Sequence, residues 1–216
     1  MELRFGGYLP QLTQYCHVSQ QIELVKMAKA KGFVRTRDLA ERGIHRETLR
    51  RMVASGEFEK VTRGVYRLKS LPVTEYHSLA LVSKKVDGAV ICLLSALAFH
   101  EITTQLPSAV WIGLASGRTA PKLDYPALEV TYMAEEALLF GTTVHKLEGV
   151  DVAITGPAKT VADCFKYRNK IGLDVAIESL REFWYQRKGS VGDLLEAAEV
   201  CRVSQVIRPY LEAVVS

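Results

Sequence analysis

A chain of 216 residues with 48% hydrophobic and 24% charged side chains can bury one large or two modest cores, which excludes a disordered or fibrous polymer. The four cysteines, Cys16, Cys92, Cys164 and Cys201, lack any C-x-x-C pair, so neither a disulfide framework nor a zinc ribbon is indicated and reduced thiols are expected. The formal charge of +4 is unevenly spread: residues 1–69 carry 14 Lys and Arg against 7 Asp and Glu, whereas residues 70–216 carry 14 against 17.

Such a basic N-terminal third suits a polyanion-binding domain, because cations that neutralise phosphates release counterions. Residues 1–18 contain no continuous apolar core before a small-residue cleavage site, so no secretory signal is read there. Cys16 beside His17 lacks a second ligand pair at metal spacing, and no metal is expected. The most apolar stretch, Ala89–Phe99, is about half the length a bilayer requires. The expectation is a cytoplasmic protein with no membrane contact.

Taken in chain order, Ser19 reads as the N-cap of a first helix, with Ile22, Val25 and Ala28, and more loosely Leu24 and Met27, on its packed face until Gly32. Phe33 and Val34 form a short extended piece. Thr36 then reads as the N-cap of a very short second helix, Arg37–Arg42, with Gly43 as the turn. A third helix follows over residues 46–55 and stops at Gly56. At 100° per residue Leu49, Met52 and Val53 share one arc, while Glu47, Arg50, Arg51 and Ala54 share the opposite one. A short helix, a glycine turn and a second helix divided in this way form the helix-turn-helix pattern, whose second helix enters the major groove.

Phe58–Val61 and Val65–Leu68 read as strands around a three-residue loop, Thr62-Arg63-Gly64. A basic hairpin beside such a helix can reach phosphates or the minor groove. The candidate DNA-facing residues are therefore Arg35, Thr36, Arg37, His45, Arg46, Glu47, Arg50, Arg51, Lys60, Arg63 and Arg67. Arginine can pair with guanine, and Glu47 either accepts from cytosine or orients Arg51 four residues on. Taken singly, exposed arginines are ordinarily solvated charges. The weight lies in the agreement of the three-helix pattern, the basic third helix, the basic hairpin and the local charge surplus.

Pro72 marks a hinge, and a domain boundary is placed near residue 70, giving domains 1–70 and 71–216. Glu75–Val86 and Ala89–Phe99 read as helices. Val110–Leu114, Leu128–Met133, Thr142–Leu147 and Val150–Ile154 read as strands, the last two joined by a tight turn at Glu148-Gly149. Helices over Pro157–Tyr167, Asp174–Arg187, Val191–Cys201 and Val203–Val214 complete the chain. The fold class is α+β: an N-terminal winged helix-turn-helix, then a larger mixed domain with a small sheet and C-terminal helices. Asp163 with Lys159 and Lys166 reads as a set of surface ion pairs. Ser116-Gly117 with Asp124 lacks the second metal-binding carboxylate of a nucleotidyltransferase, and no phosphate-binding glycine motif is present. No catalytic residue, cofactor or metal is expected.

The run from Gly32-Phe33-Val34 through Leu49–Val53, Gly56 and Lys60-Val61-Thr62-Arg63-Gly64-Val65-Tyr66-Arg67-Leu68 resembles the N-terminal domain of AbiEi-type antitoxins, the regulator half of abortive-infection toxin-antitoxin systems. Similar runs continue at Cys92–His100, at Pro107 with Val110–Gly113, and at Gly156–Cys164. The resemblance implies a cytoplasmic repressor that binds inverted repeats in its own promoter, with self-association on that DNA. It also implies a type IV antitoxin that opposes a co-encoded nucleotidyltransferase-like toxin without a stable complex. The residues by themselves leave open a ligand- or partner-responsive regulator with no antitoxin role.

Overall fold

The computed structural model describes residues 9–215, with their side chains from Val18 onward. The side chains of Cys16 and His17, and residues 1–8 of the segment in which no secretory signal was read, lie outside the described residues. The described chain forms two compact units: residues up to His77 with Glu148–Val150, and Ser78–Leu147 with the residues from Asp151 on.

In the first unit, helix α1 (Leu9–Lys31) runs straight through Ser19, which was expected to cap it. An interior serine costs a helix only about 0.5 kcal/mol, so a favourable longer helix overrides the local capping signal. The packed face is Leu24, Met27 and Ala28, at i, i+3 and i+4, whereas Ile22 points outward and is 51% exposed. Gly32, at φ 66°, ends the helix in the left-handed region that only glycine enters without strain. Strand β1 (Phe33–Arg35) leads into α2 (Thr36–Glu41) and α3 (Arg46–Ala54).

The cap of α2 is Arg35 rather than Thr36, which is the first helical residue. The Asp38 carboxylate accepts the Arg35 backbone N–H at 3.1 Å and meets its Nε at 3.1 Å. Asp38 is buried, so this pair fixes the entry to α2 where a threonine hydroxyl was expected to do so. Strands β2 (Phe58–Thr62) and β3 (Val65–Leu68) complete an antiparallel sheet of order β1-β3-β2. The expected three-residue loop shortens to Arg63-Gly64, because Thr62 still pairs with Val65. The extra residue, Val61, is taken up as a bulge between Lys60 and Thr62. Leu24, Met27, Ala28, Val34, Leu39, Ile44, Leu49, Met52, Phe58 and Leu68 interlock as one core beneath these elements.

In the second unit, α4 (His77–Lys85) begins at its boundary and is followed by β4 (Val90–Ile91) and α5 (Leu93–Phe99). The stretch Ala89–Phe99 was expected to be one helix, and the structure divides it. Val90 and Ile91 form the middle strand of a five-stranded sheet, antiparallel to β5 (Val110–Ala115) and parallel to β8 (Val150–Thr155). A central strand covered on both faces is apolar throughout, and periodicity cannot tell it from a buried helix. Strand β6 (Leu128–Met133) pairs in parallel with β5, and β7 (Thr142–Leu147) lies beside β8, giving the order β6-β5-β4-β8-β7. A short helix, α6 (Glu135–Leu139), precedes β7.

Helices α7 (Pro157–Lys166), α8 (Arg168–Ile171), α9 (Leu173–Tyr185), α10 (Val191–Val200) and α11 (Ser204–Val215) finish the unit. Helix α7 is its hub, in contact with α5, α9, α10 and α11, and every residue from Lys159 to Phe165 is buried. The surface ion pair expected for Lys159 and Asp163 is therefore an interior one. Lys159 Nζ lies 2.5 Å from Asp163 Oδ2, with both side chains at most 1% exposed, and the Cys201 thiol donates to Asp163 Oδ1 at 3.3 Å. Burial pushes the Asp163 carboxyl above its ordinary range, and the Lys159 ammonium opposes that rise. Cys92, Cys164 and Cys201 are free and buried in the surrounding core, where burial raises all three thiols, Cys201 to about 12. No described helix is long and apolar enough to cross a membrane.

Candidate nucleic-acid interface

The surface begins with how α3 is held. Leu49, Met52 and the unexpected Thr48 are buried, which turns Arg46, Arg50 and Arg51 outward. Glycine again makes the turn before it: Gly43, at φ 63°, lets the Ile44 N–H return to the Leu39 carbonyl at 2.9 Å. Gln20 of α1 ties the helix start to the first element. Its Oε1 accepts from the His45 N–H at 3.3 Å and from the Thr48 hydroxyl at 2.8 Å, while its Nε2 donates to the Gly43 carbonyl at 3.4 Å. Sequence reasoning missed Gln20 entirely, because nothing local marks a polar residue as a bridge to a segment some 25 positions away.

His45 is the N-cap of α3. Its Nδ1 accepts the Glu47 N–H at 3.3 Å, so the ring does the work that a serine or aspartate commonly does there. Arg46 follows, exposed, in the first turn. Glu47 reaches both arginines of the outer face: Oε2 lies 3.7 Å from an Arg50 guanidinium nitrogen and Oε1 lies 3.6 Å from Arg51 Nε. Arg50 is 84% exposed and Arg51 56%.

The β2–β3 hairpin adds Lys60, exposed on β2, and Arg63, exposed in the turn. The turn is coupled to the start of α2, since the Thr36 N–H donates to the Gly64 carbonyl at 3.1 Å. Thr36 itself is half-buried. Arg37 is exposed on α2, and Arg35, 23% exposed, is engaged with Asp38. A groove of about 450 Å³ runs between α3 and the hairpin, with Thr36, His45, Arg46, Glu47, Arg50 and Lys60 on its walls and Leu49, Val53 and Tyr66 beneath.

One candidate leaves the set. Arg67 is only 5% exposed, its guanidinium meeting Glu59 at 3.2 Å and donating to the Leu71 carbonyl. The strand alternation explains this: Arg67 shares a face with Val65, two residues earlier, and Val65 is wholly buried. Arg67 is also directly opposite Glu59 in the hairpin register, so the pair is a cross-strand one. Its role is to hold the hairpin to the segment that follows it. The structure thus brings His45, Arg46, Glu47, Arg50 and Lys60 around one groove. Arg51 stays close to Glu47, and Arg63 lies at the hairpin tip.

This arrangement supplies four cationic side chains beyond the helix start, Arg46, Arg50, Arg51 and Lys60, on a rigid frame. It offers paired donors for planar acceptors and a charge field suited to phosphates. Among the described residues no group of three His, Cys, Asp or Glu is gathered as metal ligands. No curated protein matches the chain. Residues 23–69, which carry the whole of this surface, match the family described as transcriptional regulator, AbiEi antitoxin; the later runs at 92–100, 107–113 and 156–164 lie outside the matched span.

Proposed function

We propose that the first unit is a winged helix-turn-helix that grips double-stranded DNA, with α3 in the major groove and the β2–β3 hairpin as the wing. The observation that carries this reading is the division of α3: Leu49 and Met52 are buried, while Arg46, Arg50 and Arg51 face outward beside Lys60. In this reading the DNA-binding domain ends near residue 70 and the rest of the chain is the antitoxin domain. The family match to residues 23–69 supports a regulator of a toxin-antitoxin operon. The fuller proposal is a cytoplasmic repressor of its own promoter that acts in a type IV, abortive-infection arrangement. It binds inverted repeats, where copies of it associate, and opposes a nucleotidyltransferase-like toxin without forming a stable complex with it.

The test of DNA binding is equilibrium titration of the full chain against a duplex from its own upstream region over a range of salt. If Arg46, Arg50, Arg51, Lys60 and Arg63 between them neutralise about four phosphates, log K falls against log salt with a slope of about −4. A slope near zero contradicts the reading. The antitoxin half is tested separately, by growth rescue when the chain is co-expressed with the product of the neighbouring reading frame. Failure to rescue leaves a plain regulator.

A further inference from the structure

We propose that Glu47 is a specificity-determining residue, a carboxylate that makes the basic face of α3 reject duplexes lacking a C·G pair opposite its first turn. The inference rests on α3 being the DNA-facing helix. Glu47 is the single acid among the described residues that line the groove between α3 and the hairpin. Its place is fixed from below, because its own N–H is held by the His45 ring at 3.3 Å. Its two oxygens are divided between Arg50 and Arg51, at 3.7 and 3.6 Å.

Fold stability does not account for a carboxylate in this position. Exposed pairs at i+3 and i+4 contribute only a few tenths of a kcal/mol. On a DNA-facing surface the same group has a larger effect of the opposite sign. It repels phosphates, and it competes with them and with guanine for both guanidinium groups. The cytosine N4 amine in the major groove reverses this best: it donates to a carboxylate beside a guanine whose O6 and N7 suit the arginines, whereas the adenine N6 amine stands between two acceptors, its own N7 and thymine O4.

A C·G pair at that position therefore gives Glu47 a donor and frees Arg50 or Arg51 for the adjacent guanine. A sequence without it leaves the carboxylate facing acceptors, or an adenine amine flanked by acceptors on both sides, with its arginines still shared. Specificity then arises from what is refused as well as from what is bound.

The experiment uses the full chain. Duplexes are enriched from a random pool by the wild-type protein, and fluorescence anisotropy gives the affinity of wild type and Glu47→Gln for the enriched duplex and a shuffled one. The expected result is tighter binding of the shuffled duplex by E47Q and a fall of about tenfold in the enriched-to-shuffled ratio. Enrichment repeated with E47Q then loses one C·G position. An unchanged ratio, or equal weakening on both duplexes, overturns the proposal.

A second set of proteins isolates the route. In an Arg50→Ala/Arg51→Ala background E47Q should tighten binding to the shuffled duplex much less, only by the direct phosphate repulsion removed; an undiminished effect overturns the role assigned to the two arginines. If the wild type binds duplexes with no sequence preference, this inference fails while DNA binding stands. If it binds no duplex at all, the proposed function itself fails.

Discussion

Replacing Lys159 by Met leaves the Asp163 carboxylate in the interior with the Cys201 thiol as its hydrogen-bond donor, at 3.3 Å. With both ionic side chains at most 1% exposed and 2.5 Å apart, the pair exchanges no solvent screening for its contact. Breaking such a pair from one side costs about 3–5 kcal/mol, whereas an exposed i, i+4 pair costs a few tenths. For a urea slope of about 2 kcal/mol per molar, the midpoint should fall by roughly 2 M. The assay is convenient, because both tryptophans, Trp111 and Trp184, belong to the second unit and report its unfolding alone.

The double replacement Lys159→Met/Asp163→Leu removes both charges and should recover most of the loss. The sign with pH is also fixed. Burial raises the Asp163 carboxyl in the folded state, and without Lys159 nothing comparable opposes the rise. Above that raised value the K159M protein bears the full penalty. As pH falls through it, the folded form takes up a proton and the penalty shrinks. A K159M midpoint within about 0.3 M of wild type would mean a surface-strength pair and refute the reasoning.

Arg67→Ala should lower the stability of the first unit by about 1–3 kcal/mol, because Glu59 and the Leu71 carbonyl lose their donor; unchanged melting by circular dichroism would return Arg67 to the surface. Burial holds the His100 imidazole below its ordinary value, and His145 and Lys188 add to this, although its Nε2–H donates to the Thr155 carbonyl at 2.7 Å. A folded pKa below the unfolded one makes stability level above pH 6.5 and declining as pH falls through that value, so His100→Gln should flatten the decline measured between pH 7 and pH 5. An equal decline in both proteins argues against a half-buried ring whose charged form is disfavoured. On α1, Leu24→Ala should cost about 2–5 kcal/mol and Ile22→Lys less than about 0.5, and the reverse order in urea melts would restore the packed face expected from the sequence.

The first unit was largely legible because its signals are local and mutually consistent. Gly32, Gly43, Gly56 and Gly64 all take positive φ at the expected breaks, and Leu49 and Met52 face inward as their spacing requires. What was misread there depends on partners. Thr36 lost the cap to Arg35 because Asp38 folds back, and Ser19 was absorbed by a longer helix. Arg67 was readable in principle, since strand alternation places it with Val65; the basic count of the hairpin hid this.

In the second unit, strands β6 and β7 lie at the expected residues, and β5 and β8 each extend one residue beyond them. The errors there come from burial and from short elements. Where an element is covered on all sides its sequence loses period, so Val90-Ile91 merged with the following helix. Lys159 and Asp163 looked like an ordinary surface pair for the opposite reason, because they share the polar arc of a clearly periodic helix. By its sequence α7 is amphipathic, with Val161, Ala162, Cys164 and Phe165 on one arc and Lys159 and Asp163 on the opposite one, and only the packing of α5, α9, α10 and α11 around it makes its charged side interior. Helices α6 and α8, of five and four residues, are too short to leave a periodic trace.

The most direct test of the DNA-facing surface is backbone hydrogen exchange of the full chain with and without a cognate duplex. The account predicts new protection over α3, the start of α2 and the β2–β3 hairpin, with little change across α7 to α11. Protection confined to the second unit, with α3 unaffected, would contradict it.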